Sequence, residues 1–379
     1  MQEQESKSWY DKWYKILFLI PLLITILSIT YISYFYLQHN SLIYKDVTLS
    51  GGTTITLSGD IDFSLESSLK QKFPDIVTRK LTDLRTGEDI AFVIESSASP
   101  EELKPAVEES LGYALTDENS SIEFTGPTLS QSFYQELLKM VFISFILMAL
   151  VIFFIFGKSR LIKSSALVLS FSAVKLTFQN SLFITILVVT LGISGIIYSL
   201  AKLKKKQDYI YIVLSLFVFL LALFYPFYSF IYIIALILFV IYIISSLPSI
   251  AVIFAAFSDI VFALVIVNIL EIKLSSAGIA AFLMLIGYSV DTDILLTTRA
   301  LQKEGTLNNR IYRAFKTGIL MTFTALVAVV PSFFLITGIP DSFRQIFLIL
   351  ALGLSADIIN TWLTNASIIK WYCEKKGII

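Results

Sequence analysis

Long apolar runs dominate the chain, and polar positions fall in short bands between them. Runs at about 16–37, 136–156, 178–201, 209–226, 228–247, 249–269, 276–298, 314–336 and 345–368 approach or reach the roughly 20 residues that a helix needs to cross a bilayer. A tenth run, 164–177, is shorter, rich in serine, and carries Lys175 near its end. The stretch 40–132 breaks this pattern and reads as soluble. The pattern predicts a polytopic α-helical membrane protein carrying one small external domain.

Basic residues set the expected orientation, because cytoplasmic loops carry an excess of Lys and Arg. They cluster at Lys7, Lys12 and Lys15; at Lys158, Arg160 and Lys163; at Lys202, Lys204, Lys205 and Lys206; at Arg299, Lys303 and Arg310; and at Lys370, Lys375 and Lys376. Both termini are then expected in the cytoplasm, with 40–132 outside it. The second and third clusters must be joined by an even number of crossings. One clear run, 178–201, lies between them, so 164–177 must cross or dip in and return, giving about ten segments. The start, "MQEQESKSWYDKWYK", is too polar and aromatic for a signal peptide. The run after it is too long for a signal core, so it is expected to remain as an anchor.

Within 40–132, "VTLSGGTTITLSG" reads as a strand with a glycine turn and "DFSLESSLKQKF" as a helix capped by Asp62. "DIVTRKLTDL" and "DIAFVIES" read as strands joined by "RTGE" in a hairpin. "SPEELKPAVEESLG" has Ser99 as cap, Pro100 at the first helical position, acids in the first turn and Gly112 after the end. "SSIEFTG" closes the series as a strand. The order β-α-β-β-α-β is the ferredoxin-like split motif, which hosts too many functions to name one.

Composition narrows the function classes. The 379 residues are 56% hydrophobic and 15% charged, with no net charge, so bulk charge points to no nucleic-acid partner. A single cysteine, Cys373, excludes an internal disulfide, and a single histidine, His39, builds no metal site alone. No nucleophile–base pair and no metal-ligand spacing occurs. The expectation is therefore no enzyme, no catalytic residue, no metal and no cofactor. "LSGGT" lacks the lysine and following helix of a phosphate loop. "KLKKK" at 202–206 reads first as a topology signal and second as a contact for anionic membrane lipid.

The candidate chemistry lies inside the spans. Asp259, Asp291, Asp293 and Asp357 fall within apolar runs, and each costs roughly 2.5–3.5 kcal/mol at a helix centre. They should face the bundle interior, paired, hydrated or protonated. Arg313 and Lys316 begin the following span at i, i+3 spacing, on one helix face. Asp291 and Asp293 differ by about 200° around a helix and cannot share a partner. Two readings stay open. A titratable relay uses the opposite pulls of burial and a neighbouring cation on a carboxylate's proton. Helix glue uses the same groups as interhelical bonds. For Asp293 alone, closer to the end of its span, the structural reading is preferred. Asn360 and Asn365 read as interhelical hydrogen bonds, and Gly287 and Ala280 as close-packing positions.

Six stretches taken together resemble a known family: "LSGGTTITL", "GPTLS", "PSIAVIFAAFSDIVFAL", "LMLIGYSVDTDILLTTRAL", "YRAFKTGILMTFTAL" and "LGLSADIINTWLTNASIIKWY". In this order they are similar to the SecD/SecF protein-export family of the RND (resistance–nodulation–division) superfamily, in its archaeal-type SecF form. The resemblance covers about 15–157 and 248–373. It implies an RND-type six-helix core, an extracytoplasmic ferredoxin-like domain, a SecD partner, and assistance to a translocating polypeptide at the Sec channel, driven in bacteria by the proton gradient. The bacterial pattern "GYSLNDT" laid on "GYSVDTD" puts its acid on Thr292 and its Asn on Asp291. The SecD pattern "VDANIL" puts its Asp on Asp291. The resemblance thus implies a relay acid at Asp291 or Asp293, with Asp291 favoured as the deeper. Arg313 matches a basic position of the fifth core span, and Asp259 and Asp357 match acids of the archaeal type.

The expected layout is a cytoplasmic start and first span (1–39), the external domain (40–132), the second core span (133–157), an inserted block of about four segments (158–247), and the remaining core with a cytoplasmic tail (248–379). The inserted block departs from the family, whose second and third core spans are joined by a short loop. The leading expectation is a SecF-like subunit that couples protonation of Asp291 against Arg313 to external-domain motion. A non-transporting scaffold for Sec-channel or membrane-protein assembly is the rival. A small-molecule RND-type exporter is a third reading, disfavoured by the single small external domain.

Overall fold

Proline, glycine and serine punctuate the boundaries of the helices. A computed structural model describes residues 9–59, 64–82, 86–178, 181–201, 208–224, 229–335 and 341–378. The basic residues Lys7 and 202–206, the cap Asp62 and part of the "RTGE" turn lie outside the described residues.

The chain begins with α1 (Trp9–Leu17) and α2 (Leu19–His39). A short helix, α3 (Val47–Ser50), is capped by Asp46, whose carboxylate accepts from the Thr48 amide. The small α+β domain then runs β1 (Gly52–Ser58), α4 (Ser64–Lys72), β2 (Val77–Thr82), β3 (Asp89–Ser96), α5 (Pro100–Leu111) and β4 (Ser120–Thr125). Its sheet has the order β2-β3-β1-β4 with every pair antiparallel, the ferredoxin-like arrangement. Ile55 and Leu57 of β1 and Phe92 and Ile94 of β3 pack with Leu69 of α4 and Leu103 and Val107 of α5. That buried face is the period-2 alternation of a sheet covered on one side. Gly52 has φ 139° and would carry a Cβ only 2.2 Å from the Ser96 carbonyl, so no other residue fits the start of β1. Gly112 ends α5 in the left-handed conformation, whereas the Ser99 side chain makes no capping bond.

The membrane part follows: α6 (Pro127–Phe156), α7 (Arg160–Thr177), α8 (Leu182–Ala201), α9 (Asp208–Phe224), α10 (Phe230–Ser245), α11 (Leu247–Ile269), α12 (Ser276–Leu301), α13 (Leu307–Leu335), α14 (Asp341–Ile359), a π-helical turn (Asn360–Asn365) and α15 (Ala366–Lys376). Among the described residues, seven stretches are long and apolar enough to cross a membrane: Lys12–His39, Pro127–Phe156, Leu182–Ser199, Leu247–Ile269, Ser276–Leu301, Leu307–Leu335 and Ser342–Lys376. α6 starts nine residues before its expected span at 136, because Pro127 initiates the helix directly after β4. α9 and α10 are apolar but shorter. α7, the serine-rich run, is an 18-residue helix about 27 Å long. Ser164, Ser165, Ser170 and Ser172 are all buried, and the helix packs against α8, α9, α10 and α6. Its serines are accommodated by that packing, which buries most of the helix against protein.

Three clusters hold the described membrane part together, one of them joining α12, α13, the π-helical turn and α15 through Leu296, Ile311, Trp362 and Ile369. A second joins α6, α7, α10 and α11 through residues such as Phe153, Leu169, Leu238 and Val252. The third joins the stem before β1 to α6, α11, α12 and α14 through Leu49, Leu137, Val267, Leu285 and Ile349. Close approach of α12 and α14 depends on Gly353, where a Cβ would lie 2.2 Å from Leu285 Cδ1. Gly287, expected as a packing glycine, is exposed and has nothing within 4 Å of its would-be Cβ. It shares the outward face of α12 with Met284 and Asp291.

Candidate functional site

α12 carries its polar residues on two faces. Ser289, Thr292, Asp293 and Thr297 are buried, at the i, i+3, i+4, i+8 spacing of one stripe. Asp291, two residues from Asp293 and about 200° away, is exposed. Asp293 on α12 meets Asp259 on α11 and Asp357 on α14. Ligand oxygens of the three carboxylates lie within 4.8 Å of one another, and all three residues are at most 1% exposed.

Each acid is held by neutral donors. Ser289 Oγ donates to Asp259 Oδ2, and Asn360 Nδ2 donates to Asp259 Oδ1 at 2.6 Å. Thr292 Oγ1 lies 2.9 and 3.0 Å from the two oxygens of Asp357, and Thr322 Oγ1 on α13 lies 3.2 Å from its Oδ2. Asn365 Nδ2 donates to Asp293 Oδ1 at 2.8 Å. Thr361 Oγ1 sits between two acids, 3.0 Å from Asp293 Oδ1 and 2.9 Å from Asp357 Oδ1. Asp293 Oδ2 is buried with no hydrogen-bond partner among the described residues.

The π-helical turn makes this possible. Asn360 and Asn365 are five apart and would stand about 140° apart on an α-helix. The wider i→i+5 turn lets Asn360 reach Asp259 while Asn365 reaches Asp293. Thr361 and Thr364 of the same turn are also buried. Single-turn π geometry inside α-helices recurs at functional sites.

None of the three acids makes an ion pair among the described residues. Two unit charges 4.8 Å apart repel by about 3.5 kcal/mol at an effective dielectric of 20. Three such charges inside a membrane bundle therefore need positive charge with them, supplied as protons or as one cation shared by the carboxylates. Oxygen-only ligands suit a hard cation, so these residues are also the ones able to hold a metal. Sequence spacing does not reveal that set, because 34 residues separate Asp259 from Asp293 and 64 separate Asp293 from Asp357.

The other expected positions lie elsewhere. The inward acid of the "VDTD" pair is Asp293, not Asp291; helix face, rather than depth along the chain, decides which is buried. Arg313 and Lys316 are exposed, and the expected Asp291–Arg313 pair does not form among the described residues. Arg310 is the buried cation of α13, at 5% exposure, and its guanidinium donates to the Ile378 carbonyl at 3.0 Å. Asn360 makes the expected interhelical bond, but to an acid of the cluster. The hydroxyls of Ser289, Thr292, Thr322 and Thr361 carry no sequence signal of their own.

Residues 211–375 match the family model described as protein export membrane protein SecD/SecF, C-terminal, a span that contains the whole carboxylate cluster. The chain is 46% identical over 129 residues to the protein-export membrane protein SecF of Methanolacinia petrolearia, covering 34% of this chain and 46% of that protein. It is 47% identical over 126 residues to SecF of Methanocaldococcus jannaschii, covering 32% and 45%. The chain thus spans less than half the length of these curated relatives. The crystal structure of SecDF, a translocon-associated membrane protein from Thermus thermophilus, is similar over 99% of this chain and 40% of that one, with a TM-score of 0.50 and 13% identity. At that identity the likeness is one of fold.

Proposed function

We propose that the chain, whose residues 211–375 match the SecD/SecF family model, is a SecF-like subunit assisting polypeptide export at a Sec channel beside a SecD-type partner. In this reading the basic bands are cytoplasmic, as the positive-inside rule favours, and the ferredoxin-like domain is outside. Protons entering and leaving the Asp259–Asp293–Asp357 cluster bias the packing of α11, α12 and α14. The one observation that carries the coupling step is the convergence of three buried carboxylates from three helices with no basic partner among the described residues.

A route from the cluster to the external domain supports the reading. α12 carries Asp293, and the residue two before its first turn, Leu274, pairs with the stem of the external domain. Its amide donates to the Tyr44 carbonyl at 2.8 Å, and the Asp46 amide donates to its carbonyl at 3.0 Å. A shift of α12 is therefore transmitted to the domain through backbone bonds.

The test is export in native membrane vesicles with and without an uncoupler. Asp293→Asn and Asp357→Asn should each abolish the uncoupler-sensitive part of export, whereas Asp291→Asn should retain it. If Asp293→Asn and Asp357→Asn export like the parent and keep the same uncoupler sensitivity, the coupling role fails and a scaffold role with structural acids takes its place.

A further inference from the structure

Outside the segment matched to the family, the end of α6, the first half of α7 and the second half of α8 line an open cavity of about 430 Å³. Its rim carries Arg160 and Lys163 from the first turn of α7 and Ser194 and Tyr198 from α8, and Phe154 and Leu191 form part of its wall. No carboxylate is among its lining residues. Lys163 Nζ donates to the Phe154 carbonyl at 2.6 Å, and Arg160 makes no ion pair among the described residues. Two cations thus face one concave space without a counter-charge.

We propose that this cavity binds the headgroup of an anionic phospholipid. The two basic residues and the Tyr198 hydroxyl match a phosphate diester, which accepts several charge-assisted bonds at once, while Ser194 Oγ is turned to the Leu191 carbonyl at 2.9 Å. The acyl chain leaves along α8, where Ile193 and Ile197, next to Ser194 and Tyr198, are 48% and 60% exposed. A soluble phosphate would use the polar rim but leave the apolar wall of Phe154 and Leu191 unfilled, so the lipid is the better match. The cavity also lies where α6 ends and α7 begins, the level at which a bilayer presents its headgroups; basic pockets between spans bind anionic lipid in this way.

The full chain, purified in detergent and freed of lipid, would be titrated with phosphatidylglycerol, phosphatidylcholine and inorganic phosphate, with bound species counted by native mass spectrometry. Phosphatidylglycerol should bind in preference to phosphatidylcholine. The double variant R160Q/K163Q should lose about 30-fold in phosphatidylglycerol affinity, and R160K/K163R should keep it. A photoreactive phosphatidylglycerol should label α8 peptides around Leu191 and Tyr198. Equal binding of the two lipids, undiminished binding by R160Q/K163Q, or labelling confined to other helices overturns the proposal. Displacement by millimolar inorganic phosphate overturns it too, in favour of a free-anion site.

Discussion

Thr361 has one hydroxyl proton and two carboxylates in reach, Asp293 Oδ1 at 3.0 Å and Asp357 Oδ1 at 2.9 Å. It can donate to only one of them at a time, and its choice depends on which acid holds a proton of its own. A protonated carboxyl donates to the Thr361 oxygen, and the hydroxyl then turns to the other acid. The residue is thus a switch between two hydrogen-bond arrangements of the same atoms. Thr361→Val keeps the shape and removes the switch. It leaves carboxylate oxygens short of a donor, at a cost of roughly 1–3 kcal/mol, so the thermal midpoint should fall and the uncoupler-sensitive part of export should drop. Thr361→Ser should restore both. A variant with Thr361→Val that melts and exports like the parent would remove Thr361 from the site. The acids themselves are legible in the sequence, because a carboxylate in an apolar run stands out. Their hydroxyl partners are not, since a threonine in a membrane helix most often bonds its own turn, as Thr25 does to the Pro21 carbonyl.

Helices α12 and α14 hold Asp293 and Asp357 at a fixed spacing, and Gly353 sets that spacing. It lies one turn before Asp357, and a side chain there would strike Leu285 of α12 at 2.2 Å. Gly353→Ala should force the helices apart, costing roughly 1–3 kcal/mol as an overpacked contact. Leu285→Ala alone opens a cavity, but combined with Gly353→Ala it should recover part of the loss. A double-mutant cycle on thermal stability reads that coupling directly; strictly additive effects would show that the two residues do not meet. This contact marks a limit of sequence reasoning. Gly287 and Gly353 are both glycines in apolar runs, and only the rotation of each helix decides which one faces a neighbour. The π-helical turn is equally silent in sequence: "NTWLTN" differs from an α-helical segment only in the bonds its neighbours draw from it. Elements with local rules were readable. α5 was marked by its proline, acids and glycine, and the order of strands and helices along the chain by alternation and turns, except that the VTLS part of the expected first strand is the capped helix α3.

At the scale of the whole molecule, the ferredoxin-like domain and the membrane core meet at the stem between α2 and β1. Beside the pairing of Tyr44 and Asp46 with Leu274, Asn268 Nδ2 donates to the Leu42 carbonyl at 2.8 Å and the Ser276 amide to Thr48 Oγ1 at 3.3 Å. Asp46 anchors this junction, accepting from the Thr48 amide at 2.9 Å and from its hydroxyl at 2.6 Å. Burial pushes the Asp46 carboxyl up to about 6, with the charge of Glu95 adding to the rise and the Thr48 bonds opposing it. A stem released from the core would expose Asp46 to water, where an aspartate titrates near about 3.9. The docked stem therefore binds the Asp46 proton more tightly than the released one. Linkage fixes the sign: docking is strongest below about pH 4, weakens as pH rises to about 6, and is level above that. Hydrogen exchange at the Asp46 and Leu274 amides, corrected for the intrinsic rate, should show protection falling across this window. The fall is bounded at about 100-fold by the two-unit difference and is smaller in so far as water reaches Asp46. Asp46→Asn should flatten the profile without shifting the exchange of the sheet core at Phe92 and Ile94. Protection that stays constant in the parent, or an unchanged slope in Asp46→Asn, would place the pH sensitivity of the junction on another group. A junction that loosens as it loses a proton would also make the mechanical link between domain and core depend on the pH of the compartment the domain occupies.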